Sequence, residues 1–269
     1  MNFHTPVSSK KVAVIGGGPA GMEAARTACM RGHRVTLFEK NEQLGGILNM
    51  ASKAPFKKDM KNYLEWSVSR TKEMDIDICC NTEITPEEIR DKYDAVLVAI
   101  GAKPVLPEKF AGNDKVTWIG DVENGKETGD KIVIAGAGLT GCEGALNLAG
   151  QKKKVTLIDV LPAENFASGG AKFNQIALLN MLKEAGVRME GNTTLTAVNE
   201  EGAVVEQNGI QKVIPCSDVI LSLGVKPDKK LIQSFNDTAA DVIYIGDCFT
   251  QRGNLYNAIH SAHEAAMTI

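Results

Sequence analysis

Lys11-Val-Ala-Val-Ile-Gly-Gly-Gly-Pro-Ala-Gly21, followed by Met22-Glu-Ala-Ala-Arg-Thr-Ala-Cys-Met30, is the stretch that decides the fold. Lys11 to Ile15 is a short, apolar, β-branched run and predicts a strand. The residues from Met22 onward begin with strong helix formers and predict a helix. Between them lies a turn in which Gly16 permits the sharp reversal, Gly18 leaves the backbone approachable, and Gly21 lets the helix pack close to the strand. Arg34-Val-Thr-Leu-Phe38 predicts the next strand, and it ends in Glu39, 18 residues after Gly21. An acid at about this distance accepts hydrogen bonds from a nucleotide ribose, while the helix start receives the pyrophosphate. Strand, glycine turn, helix and terminal acid together form a dinucleotide-binding fingerprint.

The fingerprint recurs. Lys131-Ile-Val-Ile-Ala135 is a second strand, Gly136-Ala-Gly-Leu-Thr-Gly141 a second turn, and Cys142 onward a second helix. Lys154-Val-Thr-Leu-Ile158 then ends in Asp159. Gly136 and Asp159 each lie 120 residues after Gly16 and Glu39. Asp94-Ala-Val-Leu-Val-Ala-Ile-Gly101 is likewise echoed by Asp218-Val-Ile-Leu-Ser-Leu-Gly224, with glycines 123 residues apart. A repeat of this size implies two α/β units and excludes a solenoid, whose periods are roughly 20–50 residues. The length of 269 residues also suits about two domains.

Other segments fill the gaps. Pro55 to Glu73 predicts a helix with Phe56, Met60, Tyr63, Leu64, Ser67 and Val68 on one face, and Gly170 to Glu184 another with Ile176, Leu179 and Leu182 inward. Both stripes are what packing requires. Thr193 to Ile214 alternates between turn signals at Glu201-Gly202 and Asn208-Gly209, predicting a small antiparallel meander. Gly125 to Asp130 reads as the linker into the second unit. Asp241-Val-Ile-Tyr-Ile-Gly-Asp247 is a last strand, followed by a turn and a helix running into Ala266.

Composition narrows the functional classes. Thirty basic and 33 acidic side chains give a net charge of −3, which excludes a broadly cationic nucleic-acid binder. No run of about 18 apolar residues predicts a membrane span, and Met1 to Lys10 lacks the apolar centre of a signal peptide. The expected location is the cytoplasm. Six cysteines stand at 29, 79, 80, 142, 216 and 248 without C-x-x-C spacing. Neither a zinc site, an iron–sulfur ligand run nor a redox dithiol is expected, and the thiols read as small buried hydrophobes. His260 and His263, three residues apart on the final helix, read as packed or solvated rather than catalytic.

Together these residues resemble the two-dinucleotide-domain flavoproteins, a family that includes thioredoxin reductase, from about Lys11 to Ile269. The opening Lys10 to Ala25 and the ending Gly246-Asp-Cys248 with Gly253-Asn-Leu-Tyr-Asn-Ala-Ile-His-Ser-Ala-His-Glu-Ala-Ala266 are most similar to the C-terminal part of Old Yellow Enzyme-type reductases, the 2,4-dienoyl-CoA and 2-enoate reductase relatives. The resemblance implies an α/β fold of two Rossmann-like domains with a three-layer ββα-type sandwich, the NAD domain inserted into the FAD domain. The implied FAD-binding domain is 1–125 plus 228–269, and the NAD(P)H-binding domain 126–227. It implies FAD contacts at Gly16, Gly18, Pro19, Ala20, Gly21, Glu39, Lys40, Gly45, Gly46, Ala99, Ile100, Gly101, Gly246, Asp247 and Ala258. It implies nicotinamide-nucleotide contacts at Gly136, Gly138, Leu139, Thr140, Gly141, Asp159 and Gly224. Ile100 stands where the family has Thr.

The implied activity is hydride transfer from NADH to FAD, which the cofactors carry, so no catalytic side chain is expected. Asp159, with no arginine among the residues that follow it, favours NADH over NADPH. The implied partner is a barrel, as domain or subunit, that binds FMN and a [4Fe-4S] cluster and reduces an activated alkene. Two other readings stay open: a non-catalytic FAD-binding assembly or sensor subunit, and a stand-alone NADH:acceptor oxidoreductase using a quinone or dye. A thioredoxin-type disulfide role is not expected, because Cys142 has no C-x-x-C partner.

Overall fold

The computed structural model describes residues 8–249 and 253–269. Its strands are β1 (Lys11–Ile15), β2 (Arg34–Phe38), β3 (Ile76–Cys79), β4 (Ala95–Val98), β5 (Lys103–Pro104), β6 (Val116–Trp118), β7 (Lys131–Ala135), β8 (Lys154–Ile158), β9 (Arg188–Glu190), β10 (Thr193–Val198), β11 (Gly202–Gln207), β12 (Ile210–Pro215), β13 (Asp218–Leu221), β14 (Val225–Lys226) and β15 (Asp241–Tyr244). The helices are α1 (Pro19–Met30), α2 (Leu48–Ala51), α3 (Lys58–Lys72), α4 (Pro86–Ile89), α5 (Ile119–Glu123), α6 (Leu139–Gly150), α7 (Lys172–Glu184), α8 (Lys229–Ser234) and α9 (Leu255–Thr268).

Two compact units result. The first gathers the described residues up to Ser52, Lys57–Lys103 and Lys226–Ile269, and the second Lys53–Phe56 with Pro104–Val225. In the sequence, the residues of the second unit thus interrupt those of the first. Apart from the short stretch Lys53–Phe56, the second unit begins at Pro104, whereas 126 was the expected start. The reason is β6, which pairs in parallel with β13 and so belongs to the second sheet. Gly125 to Asp130 is a loop within the second unit, leading from α5 to β7. A three-residue strand carries too little periodicity to be seen in advance.

The first unit is a parallel five-stranded sheet in the order β15-β4-β1-β2-β3. Its central strands are covered on both faces, which is why they read as unbroken apolar runs. Val12, Val14, Leu37 and Leu97 point to the helices, and Ala13, Ile15, Val96 and Val98 to the other side. On the helical side α1 presents Ala24, Ala25 and Ala28, and α9 presents Ala262, Ala265 and Ala266. On the other side Ile89 and Phe235 close the core. The predicted face of α3 is inward at Leu64 and Ser67, with Met60, Tyr63 and Val68 partly covered. Phe56 departs from it: it precedes the helix and is 46% exposed.

A buried cation ties α1 to α3. Arg26 is 3% exposed. One of its guanidinium nitrogens donates to the Ser67 carbonyl at 3.1 Å, Ser67 Oγ at 2.8 Å and Thr71 Oγ1 at 2.9 Å, and the other to Glu23 Oε2 at 2.6 Å. Removing one partner of such a buried pair strands the rest. Arg26→Ala is expected to lose about 3 kcal/mol of unfolding free energy. A urea titration reads it; a loss below about 1 kcal/mol would show that the network is not held as described.

The second unit repeats the plan with sheet order β6-β13-β7-β8-β9. Ile132 and Ile134 of β7 face α6 and α7 through Ala145, Leu148 and Leu182. Val133 and Ala135 face the meander β10-β11-β12 through Leu195, Ala203, Val205 and Ile214. The ββα sandwich is therefore present in this unit. In the first unit the face opposite α1 is closed by helix and loop residues instead. On α7 the inward residues are Gln175, Leu178, Leu179 and Leu182, whereas Ile176 is 46% exposed. Gln175 displaces it because its amide donates to the Phe166 and Glu164 carbonyls, at 2.8 and 3.3 Å.

Candidate functional site

Each fingerprint folds into a turn whose three glycines differ in role. A Cβ on Gly16 (φ +104°) would lie 2.5 Å from the Ala99 carbonyl oxygen, and one on Gly21 would lie 1.8 Å from the Gly16 carbonyl oxygen. These glycines are demanded by the fold. Gly18 is not: its φ of −72° suits any residue, and a Cβ there would meet only Gly46 Cα at 3.9 Å. Gly18 instead leaves open space beside the start of α1. That start carries no side-chain cap and no acid in its first turn. The first intrahelical bond is Met22 N–H to the Gly18 carbonyl at 2.9 Å. An uncapped helix start beside an open glycine is a cradle for an anion, and it fits a pyrophosphate.

The second turn reproduces this geometry. A Cβ on Gly136 (φ +107°) would sit 2.2 Å from the Ser222 carbonyl oxygen, and one on Gly141 would sit 1.9 Å from the Gly136 carbonyl oxygen. Gly138, with φ −64°, has no protein atom in its way. Cys142 N–H bonds the Gly138 carbonyl at 3.0 Å, and α6 is also uncapped. Leu139 and Thr140 are exposed at its mouth.

The terminal acids do more than the fingerprint suggests. Gly17 N–H donates to Glu39 Oε2 at 2.7 Å, and Ala137 N–H donates to Asp159 Oδ2 at 2.6 Å. Each acid therefore fastens the second residue of its own turn. The carbonyl of that residue is held too, by Gly45 N–H in the first unit and by Ala167 N–H in the second, both at 2.8 Å. Of these partners only Gly45 was expected.

The remaining expected residues assemble around the first turn, with one exception. A Cβ on Gly46 would press on Gly18 Cα at 2.9 Å, and one on Gly246 would meet Ala20 at 2.9 Å and Ala258 at 3.9 Å. Ala99, Ile100 and Gly101 follow β4 beside Gly16, and Cys248 Sγ reaches the Gly101 carbonyl at 3.6 Å. Asp247 is half-buried, and desolvation pushes its carboxyl above the usual range. Lys40 is the exception: it is exposed, with its neighbour Glu39 buried beneath it. Around the second turn, Gly224 follows β13, but Ser222 stands closest to the turn and was not expected. Its place was legible, because the 123-residue repeat carries Ala99 onto it.

Burial pushes Cys142 up to about 12 and Cys248 up to about 11, so neither is a thiolate near neutrality. His260 stacks on Tyr256 with ring centroids 4.0 Å apart. His263 Nδ1 lies 3.3 Å from Thr27 Oγ1 and 3.5 Å from Glu23. Among the described residues no cluster of His, Cys, Asp and Glu could hold a metal ion, and no helix is long and apolar enough to cross a membrane.

Residues 10–267 match the pyridine nucleotide-disulphide oxidoreductase family. The chain belongs to that family. It is similar to a cinnamate reductase of Clostridium sporogenes (strain ATCC 7955), with 34% identity over 264 residues, 97% of this chain and 39% of the relative. It is similar to an NADH oxidase of Thermoanaerobacter brockii, with 32% identity over 269 residues, 97% of this chain and 41% of the relative. Among solved structures, a 2-naphthoyl-CoA reductase superposes with a TM-score of 0.91 at 29% identity, over all of this chain and 41% of that one. The chain thus spans about two-fifths of the length of these relatives. As a member of the pyridine nucleotide-disulphide oxidoreductases, it is an FAD- and pyridine-nucleotide-dependent oxidoreductase, and its parallel-sheet α/β fold is that family's.

Proposed function

We propose that the first glycine turn binds the ADP half of FAD, the second binds NADH, and the chain collects electrons from NADH for a larger reductase. The observation that carries this reading is the pair of open positions at Gly18 and Gly138, each beside an uncapped helix start and below an acid. When both cofactors are bound, the chemistry they supply is hydride transfer from nicotinamide to flavin. The chain's own residues bind and orient. Asp159 accepts one hydrogen bond on each oxygen, from Ala137 N–H and from Leu161 N–H at 2.9 Å. A carboxylate has about four lone-pair sites, so room remains for two ribose hydroxyls.

The choice of NADH over NADPH follows from the charges around Asp159. Val160 and Leu161 come next, offering no cation to a 2′-phosphate. Lys153 is committed to Asp130 and the Thr128 carbonyl, at the opening end of β8. Arg188 and Lys212 both pair with Glu190, at 2.6 and 2.7 Å. The expected preference for NADH is about tenfold or more, since each ~1.4 kcal/mol of lost contact or repulsion is a factor of ten. Asp159→Ala is expected to narrow it. Anaerobic flavin bleaching across a concentration series of each nucleotide is the test. An unchanged oxidised spectrum would favour a non-catalytic FAD-binding subunit, and equal efficiency would displace Asp159 as the ribose reader.

The electron acceptor is proposed to be a barrel, bearing FMN and an iron–sulfur cluster, that reduces an activated alkene or related unsaturated acid or thioester. The support is that the relatives are named for cinnamate and 2-naphthoyl-CoA and exceed this chain by more than half their length.

A further inference from the structure

We propose that Asn41 is a positioning residue, whose side-chain amide locks the Glu39 carboxylate against the first glycine turn and so sets how tightly that turn keeps its nucleotide. The inference rests on the reading of that turn as the FAD site.

The two units make the comparison internally. Both acids bind the second residue of their turn, at 2.7 and 2.6 Å. Both bind the backbone N–H two residues further on, Asn41 at 2.8 Å and Leu161 at 2.9 Å. Both loops are pinned in the same way: Asn81 N–H bonds the Asn41 carbonyl and Thr82 N–H the Glu39 carbonyl, while Asn192 N–H bonds the Leu161 carbonyl and Thr193 N–H the Asp159 carbonyl. With the backbones matched, one difference stands out. Asn41 Nδ2 donates a further bond to Glu39 Oε1 at 2.7 Å, and Leu161 has no donor to offer.

The chemistry follows from counting donors. Oε1 of Glu39 receives two and is filled; Oε2 receives one and keeps a single acceptor site for a hydroxyl. Glu39 as a whole is 4% exposed. Three donors fix its orientation before a ligand arrives, which removes ordering from the cost of binding. Asp159, with two donors and partial exposure, keeps two acceptor sites and more freedom. A fixed acid suits a nucleotide that stays, and a freer one a nucleotide that exchanges.

The test uses the whole chain stripped of flavin, with FAD affinity read from quenching of flavin fluorescence. Asn41 is exposed, so its variants are expected to fold as the parent does. Asn41→Leu, which copies the second unit, is expected to weaken FAD binding about tenfold at both pH 8 and pH 5.5, as loss of one charge-assisted bond does. Asn41→Asp sets a carboxylate beside Glu39, and two carboxylates this close share one proton. Its FAD affinity is expected to fall tenfold or more at pH 8 and to return within about threefold of the parent by pH 5.5. Lys40, Glu42, Asp77, Cys79 and Cys80 also lie on the stretches around Glu39, and they are common to all three chains. A purely structural role for Asn41 would not produce this acid rescue. Variants within twofold of the parent at both pH values, or an Asn41→Asp loss that ignores pH, would overturn the role of Asn41 alone. A parent chain that takes up no FAD would overturn the site itself.

Discussion

Gly18→Leu is expected to give a folded protein that keeps no flavin. Backbone and space both permit the side chain, because Gly18 has an ordinary φ and its Cβ direction is open. What the leucine fills is the cradle at the start of α1. Losing two charge-assisted bonds from a pyrophosphate costs about 4 kcal/mol, or roughly a thousandfold in affinity. Gly138→Leu is the mirror experiment: FAD is retained and nucleotide-driven bleaching is lost. Flavin content per chain, with thermal unfolding as the control, reads both. Full flavin occupancy in the Gly18 variant would remove FAD from the first turn.

Gly21→Val is expected to act on the fold itself. Its Cβ would stand 1.8 Å from a backbone oxygen of Gly16, and no side chain can move aside to relieve that contact. The start of α1 must leave the sheet, opening the Val12, Val14 and Ala24 core behind it. Overpacking against backbone belongs to the most damaging class of substitution, and a loss of about 4 kcal/mol or more is expected. Gly141→Val meets the same obstacle at 1.9 Å in the second unit. Urea unfolding and soluble yield measure the effect; near-parental stability in either variant would contradict the close packing of turn and helix.

The strands flanking each glycine turn, β1, β2, β7 and β8, and both turns were legible because each signal is local. Val12 to Ile15 is buried on both faces and therefore apolar throughout, and Gly21 and Gly141 are required by the carbonyls of Gly16 and Gly136, five residues before them. The meander was legible because half-buried strands alternate. What escaped the sequence is non-local. β6 is a strand only because β13 lies beside it. Gln175 turns inward, and Ile176 outward, because carbonyls of a preceding loop await an amide. The double duty of Glu39 and Asp159 was hidden for a similar reason: a motif names the ligand an acid serves, not the backbone donor that reaches it first. Asn41 offered no signal by spacing. It stands out only when the two units are laid on one another.

The two sheets are permuted copies: the strand beside β4 is β15, which comes last in its unit, whereas its counterpart beside β13 is β6, which comes first. During synthesis this sets an order of completion. A nascent chain that has reached Val225 already contains every strand of the second sheet. The first sheet still shows β4 as a bare edge, and α1 has no α9 against its alanines. At roughly 5–20 residues per second, about 2–9 s separate that point from the emergence of Thr268. For that interval the earlier-made half is the unfinished one, an apolar strand edge waiting for the last segment to seal it.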